Sequence, residues 1–184
     1  MSLYSAAGVD LAHHLGLPFM GTAGASESKL LDAQAGAESA IQVLMSALSG
    51  PALVHDVGFL DCADIGSLAM LVLTDEIIGM VRRIMRGIEV NPETIMFDLI
   101  AEKGPGGNFV DEPRSVRLAR REIWAPTMLD RTPHVLWEQE GAEDMAERVW
   151  GKVQRILRTH RPAPLESAAA EQIATILAEV AENG

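Results

Sequence analysis

The chain has a single cysteine, Cys62, which excludes an internal disulfide and a cysteine-based zinc site. Aromatic residues make up 4% of the chain, so a core must be built from Ala, Leu, Ile, Val and Met. Basic residues are scarce: 15 Lys and Arg against 26 Asp and Glu, a formal charge of -11. That balance argues against a nucleic-acid backbone and against an anionic membrane surface as partners. No long apolar run occurs. The most apolar stretch, 68–73, is ended by Asp75-Glu76, far short of a membrane span. Met1-Ser-Leu-Tyr4 lacks the basic and apolar regions of a signal peptide, and the chain reads as cytoplasmic. What is present is 48% apolar residues over 184 positions, enough for one domain, or one domain with an extension.

The pattern is organised around residues 17–34. A short apolar run, 17–20, breaks into small and polar residues from Gly21 to Lys29 and re-forms as an Ala-rich helix from Asp32. Strand, polar loop, helix is the βα unit, and in parallel α/β folds ligands sit at the carboxyl ends of the strands. The loop carries Ser26, Glu27, Ser28 and Lys29, with glycines at 21 and 24 where the backbone turns. The same composition also fits an ordinary solvated loop. A second unit repeats the plan: a β-prone run, 51–57, then 58–66 as loop, then a long helix, 67–86. The helix between the two runs has the length of a crossover connection, so the runs read as parallel neighbours with Thr22 beside His55. Asp32 is placed either to cap that helix or to serve a site.

Tyr4 to Leu15 has helical spacing, with Gly16 to end it. His13 and His14, near its end, read as surface or cap histidines. In the long helix the first half is apolar all round and is expected to be buried. In the second half Asp75, Glu76, Arg82, Arg83 and Arg86 are assigned to one charged face. Asn91-Pro92-Glu93 is a strong helix start, and the helix is expected to run to about Lys103. Gly104 to Phe109 is either a structural break or a backbone-rich binding edge. Another helix opens at Pro113, with Arg114, Arg117, Arg120 and Arg121 as a solvated face. Two amphipathic helices follow, over 142–159 and 165–182, and Trp137 and Trp150 are expected to pack where this tail meets the rest. The expected fold class is α/β, mostly helical by residue count. Its division is 1–90 as two βα units and 91–184 as a helical extension.

Several blocks then agree with one family. Gly21-Thr-Ala-Gly-Ala-Ser-Glu-Ser-Lys29 with Asp32-Ala-Gln34, Val54-His-Asp-Val-Gly-Phe59, Asp75-Glu-Ile-Ile78, Arg86-Gly-Ile-Glu89 and Gly104-Pro-Gly-Gly107 occur in order. Together they resemble the trimethylamine methyltransferase family, which includes methylamine and glycine betaine:corrinoid methyltransferases. The resemblance implies that the two βα units are the C-terminal units of a (β/α)8 TIM barrel, and that the chain is the C-terminal part of a longer protein. It also implies transfer of a methyl group from a methylated amine to the Co(I) of a corrinoid, a cobalamin-type cofactor, held by a separate protein. Trimethylamine enzymes of the family use pyrrolysine. Every position here is an ordinary amino acid, so a quaternary amine such as glycine betaine is the expected substrate. Expected catalytic residues are Lys29, His55 and Asp56, with Asp32 and Asp56 orienting Lys29 and His55. Thr22, Ser26, Glu27, Ser28, Asp32 and Gln34 are expected to contact substrate or corrinoid. No metal and no cofactor is expected on the chain itself. Two open strand edges and an uncovered apolar face point to a homo-oligomer, a dimer. The alternative is a non-catalytic helical interaction domain derived from the same family.

Overall fold

The computed structural model describes residues 2–183. Helix α1 (Ser2–Leu15) ends in a Schellman turn: Leu17 N–H donates to Ala12 O and Gly16 N–H to His13 O, with Gly16 at φ 66°. Strand β1 (Met20–Thr22) follows, then α2 (Ala33–Ser49), closed by left-handed Gly50. Strand β2 (Leu53–His55) returns parallel to β1, with Met20, Gly21 and Thr22 opposite Leu53, Val54 and His55. The parallel pair and the juxtaposition of Thr22 with His55 are as the pattern predicts.

The stretch after β2, read from sequence as a loop, contains a small antiparallel hairpin, β3 (Phe59–Leu60) with β4 (Ile65–Gly66). Its turn holds Asp61, Cys62 and Ala63 at φ 50°, 56° and 73°. Two-residue strands carry too little periodicity to be seen in sequence. Helix α3 (Leu68–Met85) is capped by Ser67, whose hydroxyl accepts from Met70 N–H at 3.2 Å.

Two expectations about α3 are corrected. Its first half is not buried all round: Ala69, Met70 and Leu73 are, while Leu68 is 52% and Leu71 46% exposed. Glu76 does not share the exposed face of Asp75 but is buried.

The predicted helix over 91–103 is two helices, α4 (Pro92–Ile95) and α5 (Phe97–Lys103). Met96 between them is left-handed, at φ 52°. Then come α6 (Pro113–Glu122), α7 (His134–Gln139), α8 (Met145–Thr159) and α9 (Ser167–Asn183). The six-residue α7 is too short to show a period in the sequence.

The fold is α/β and mostly helical. The core joins Val43 of α2, Met70, Leu73, Ile77 and Val81 of α3, and Leu60 of β3 with Met128, Val149 and Val153. At its centre Ser39 and Thr74 meet at 3.3 Å, both fully buried, and Thr74 also donates to Met70 O. Two compact units are formed, one through Val153 and one from Gln154 onward. In the second, Ala169 is the one residue of α9 with described burial that is not exposed.

Candidate functional site

The carboxyl ends of β1 and β2 are held together by backbone. Ala23 N–H donates to His55 O at 3.0 Å, Ser26 N–H to Phe59 O, and Asp61 N–H to Ser28 O, so the loop after β1 lies along the segment after β2. Gly24, at φ 86°, sits where a Cβ would meet Thr74 Cγ2 at 2.8 Å and is the residue that admits this approach.

Glu38, one turn into α2, clasps the loop. One carboxylate oxygen accepts from the Ser26 hydroxyl at 2.6 Å and from Glu27 N–H at 2.8 Å, and the other from the Gln34 amide at 2.8 Å. These three donors, the Ser26 hydroxyl foremost, hold the Glu38 carboxyl below its ordinary range. The Ser26 hydroxyl also accepts from Ser28 N–H, and the Ser28 hydroxyl from Leu30 N–H. Beside this clasp lies a cavity of about 360 Å3, lined by Ala25, Ser26, Glu27, Glu38, Ile41, Gln42, Asp56 and Cys62 among others. It presents three carboxylates, and the buried Oε1 of Gln42 has no partner there. Such a pocket favours a small cation with apolar bulk. No group of three His, Cys, Asp or Glu among the described residues is placed to hold a metal.

Of the predicted residues, Ser26, Glu27 and Asp56 line this cavity, and Gln34 supports it through Glu38. Thr22 and His55 stand opposite each other at the strand ends. His55 Nδ1 bonds Asp56 Oδ1 at 2.6 Å, the pairing expected for an oriented imidazole, and Asp56 is left-handed at φ 72°. Lys29 is oriented by a different acid than expected. Its ammonium lies 3.2 Å from Asp61 and 2.8 Å from Glu27 O, and the hydrogen bond to Asp61 raises its pKa above the ordinary value. Asp32 caps α2 instead, accepting from Ala35 N–H at 3.0 Å. That bond, then the Ser28 hydroxyl, lowers its pKa. Ser28 is buried within the loop.

Sequence reasoning missed Glu38. The signal was there: Gln34 and Glu38 are spaced i, i+4 at the start of the helix that follows the loop, and so share the face nearest it. It also missed Glu76. That carboxylate accepts from the N–H groups of Thr127, Met128 and Leu129 and from the Thr127 hydroxyl at 2.7 Å. These partners lie more than fifty positions away, and no local pattern announces them.

A parallel strand pair with a charged cavity at its carboxyl edge is the arrangement in which α/β proteins hold small molecules. Residues 1–183 match the model of the trimethylamine methyltransferase family, and the chain belongs to that family. A glycine betaine methyltransferase of Desulfitobacterium hafniense is 32% identical over 184 residues, all of this chain and 38% of that protein. A trimethylamine methyltransferase of Methanosarcina mazei is 34% identical over 167 residues, 91% of this chain and 34% of that protein. A trimethylamine methyltransferase of Desulfitobacterium hafniense is 28% identical over 183 residues, 37% of its length. The chain thus spans little more than a third of the length of these relatives. Among the described residues no helix is long and apolar enough to cross a membrane.

Proposed function

We propose that the chain is the C-terminal part of a cytoplasmic methyltransferase. It moves a methyl group from a methylated amine, a quaternary one such as glycine betaine, to the Co(I) of a corrinoid carried by a separate protein. The observation that carries this reading is the acidic cavity at the carboxyl edge of the parallel strands, in a chain of this family. The two βα units then belong to a (β/α)8 barrel.

A cavity of about 360 Å3 suits a small amine and is too small for a corrinoid ring, which fits a cofactor that arrives on its own protein. That cofactor supplies the nucleophile. The carbon–nitrogen bond breaks with its electron pair staying on nitrogen, so a quaternary substrate leaves as a neutral amine and needs no proton. Glu27, Glu38 and Asp56 favour the cationic substrate. Because the positive charge on nitrogen is lost as the bond breaks, these carboxylates serve binding and orientation more than rate. His55, held by Asp56, and Lys29, held by Asp61, supply polar contacts at the rim, with Thr22, Ser26, Ser28, Asp32 and Gln34 shaping the loop.

The test is twofold. Nuclear magnetic resonance titration with glycine betaine is expected to show saturable binding that Glu38→Gln weakens several-fold. Loss of the Co(I) absorption on adding amine and a corrinoid protein reads the transfer itself. No saturable binding of any methylated amine overturns the assignment of the cavity. Tight binding of the corrinoid protein without methyl transfer favours the non-catalytic interaction domain. We further propose a homo-oligomer, a dimer, using the strand region or the 68–84 helix.

A further inference from the structure

Gln34, Glu38 and Gln42 follow one another at four-residue steps and share one face of α2. The first two are spent: the Gln34 amide donates to Glu38 Oε1, and the other Glu38 oxygen holds the loop after β1. Gln42 is different. It stands on the wall of the acidic cavity with its Oε1 buried and without a partner, and among the described residues its amide takes part in no hydrogen bond. A buried polar atom with no partner costs free energy, and native folds keep few of them. A half-turn about the last side-chain bond brings the NH2 group to the place of the oxygen, and no hydrogen bond holds the amide in either setting.

The rest of the wall decides which end of the amide is needed. Glu27, Glu38 and Asp56 are acceptors when ionised, and among the described residues no Lys, Arg or His lines the cavity. An O–H or N–H on a ligand would therefore go to a carboxylate, where the bond is charge-assisted, and leave Gln42 idle. A ligand acceptor, by contrast, has only the Gln42 amide to supply a side-chain N–H from that wall. Glu38 and Gln42 are one helical turn apart, about 6 Å along the axis. In glycine betaine a single carbon joins the ammonium nitrogen to the carboxylate, so both charges fall within that span.

We propose that Gln42 is the specificity-determining residue of this cavity, its amide donating to the carboxylate of a substrate whose methylated ammonium lies against Glu27, Glu38 and Asp56. The substrate class is then a betaine, an N-methylated amino acid, in preference to a methylated amine without a carboxylate. The three acids attract the ammonium and repel the carboxylate, so a pocket deprived of the amide favours the bare cation. This inference rests on the methyl-transfer reading and narrows it.

The test is nuclear magnetic resonance titration of the full chain, of Gln42→Leu and of Gln42→Glu, each with two probes. One is glycine betaine; the other is tetramethylammonium, a methylated cation without a carboxylate. Gln42→Leu is expected to weaken glycine betaine about tenfold, the worth of a hydrogen bond to a charged group, and to leave tetramethylammonium within about twofold. Gln42→Glu keeps the shape and adds a charge, so it is expected to weaken glycine betaine further and to tighten tetramethylammonium. Gln42→Leu is also expected to melt no lower than the native chain, since the amide has no partner to lose. Equal effects on both probes, or no effect on glycine betaine, overturn the role of Gln42 and leave the cavity as an amine site. A native chain that binds neither probe overturns the amine site itself, and this inference with it.

Discussion

At the scale of single residues, two carboxylates do different work from the same chemistry. Glu76 is 5% exposed and faces a turn of three backbone N–H groups and a hydroxyl. Burial is the largest single influence on it and would raise its pKa. The Met128 N–H, the Thr127 hydroxyl and the remaining donors together outweigh burial and leave the pKa below its ordinary 4.5. A carboxyl with a depressed folded pKa adds stability that is full above the unfolded value and is lost as pH falls through the folded one. Thermal melts taken downward from neutral pH are thus expected to show stability falling once pH drops below 4.5, with a flatter profile in Glu76→Gln. Glu76→Ala, which leaves the three N–H groups without their acceptor, is expected to cost about 2–3 kcal/mol in denaturant unfolding. Asp32 is the contrasting case. Its bond to Ala35 N–H is a helix cap, and Asn caps as well as Asp. Asp32→Asn is expected to leave melting unchanged while Asp32→Ala lowers it. An activity loss in Asp32→Asn with melting intact would assign Asp32 a part in the site beyond capping.

At the scale of elements, the approach of the first loop to α3 rests on one residue without a side chain. Gly24 combines φ 86° with a would-be Cβ contact of 2.8 Å to Thr74. Gly24→Ala meets both the left-handed penalty and the clash, and a loss of about 1–3 kcal/mol is expected. The same change should loosen the Glu38 clasp, read as faster exchange of the Glu27 amide. The end of α3 is tied elsewhere. Arg83 bonds Glu122 O at 2.6 Å and the Glu122 carboxylate at 3.0 Å, and Arg86 bonds Arg121 O at 2.8 Å. Trp124 stacks where a Cβ on Gly79 would fall. These bonds, with the Glu76 latch, bring the segment after α6 onto α3. Trp137, by contrast, donates to Glu143 O and lies 5.6 Å from His134, while Trp150 is 48% exposed. The hydrogen-bond and ring partners of Trp137 are thus local ones.

At the scale of the whole molecule, α9 contributes no residue to the core among those whose burial is described. A chain ended after Arg161 is therefore expected to keep the melting temperature of the full chain, with loss of helical circular dichroism in proportion to the residues removed. A large drop in melting temperature would show that α9 supports the first unit after all. The charge of -11 acts at this scale too. If the acidic cavity takes a cation, its affinity should weaken as salt is added, because screening reduces the pull of the surrounding carboxylates. Salt-independent binding would point to apolar contact as the main attraction.

The sequence by itself determined the βα repeat, the helix limits near 33–49 and 68–85, and the cap at Asn91, and it offered Asp32 as either a cap or a site residue. These depend on periodicity and on residues next to one another, and both are written along the chain. It also placed Ser26, Glu27 and Asp56 at one edge, since two parallel strands of equal length must end together. Tertiary structure decided the rest. Glu76 is expected on a charged face by helical spacing, yet it is buried because three N–H groups from a distant turn meet it there. Lys29 has acids nearer in sequence, but the hairpin brings Asp61 to it. Glu38 becomes a clasp because the loop folds back over α2. In each case the partner is set by chain reversal and packing, which no short stretch of sequence encodes.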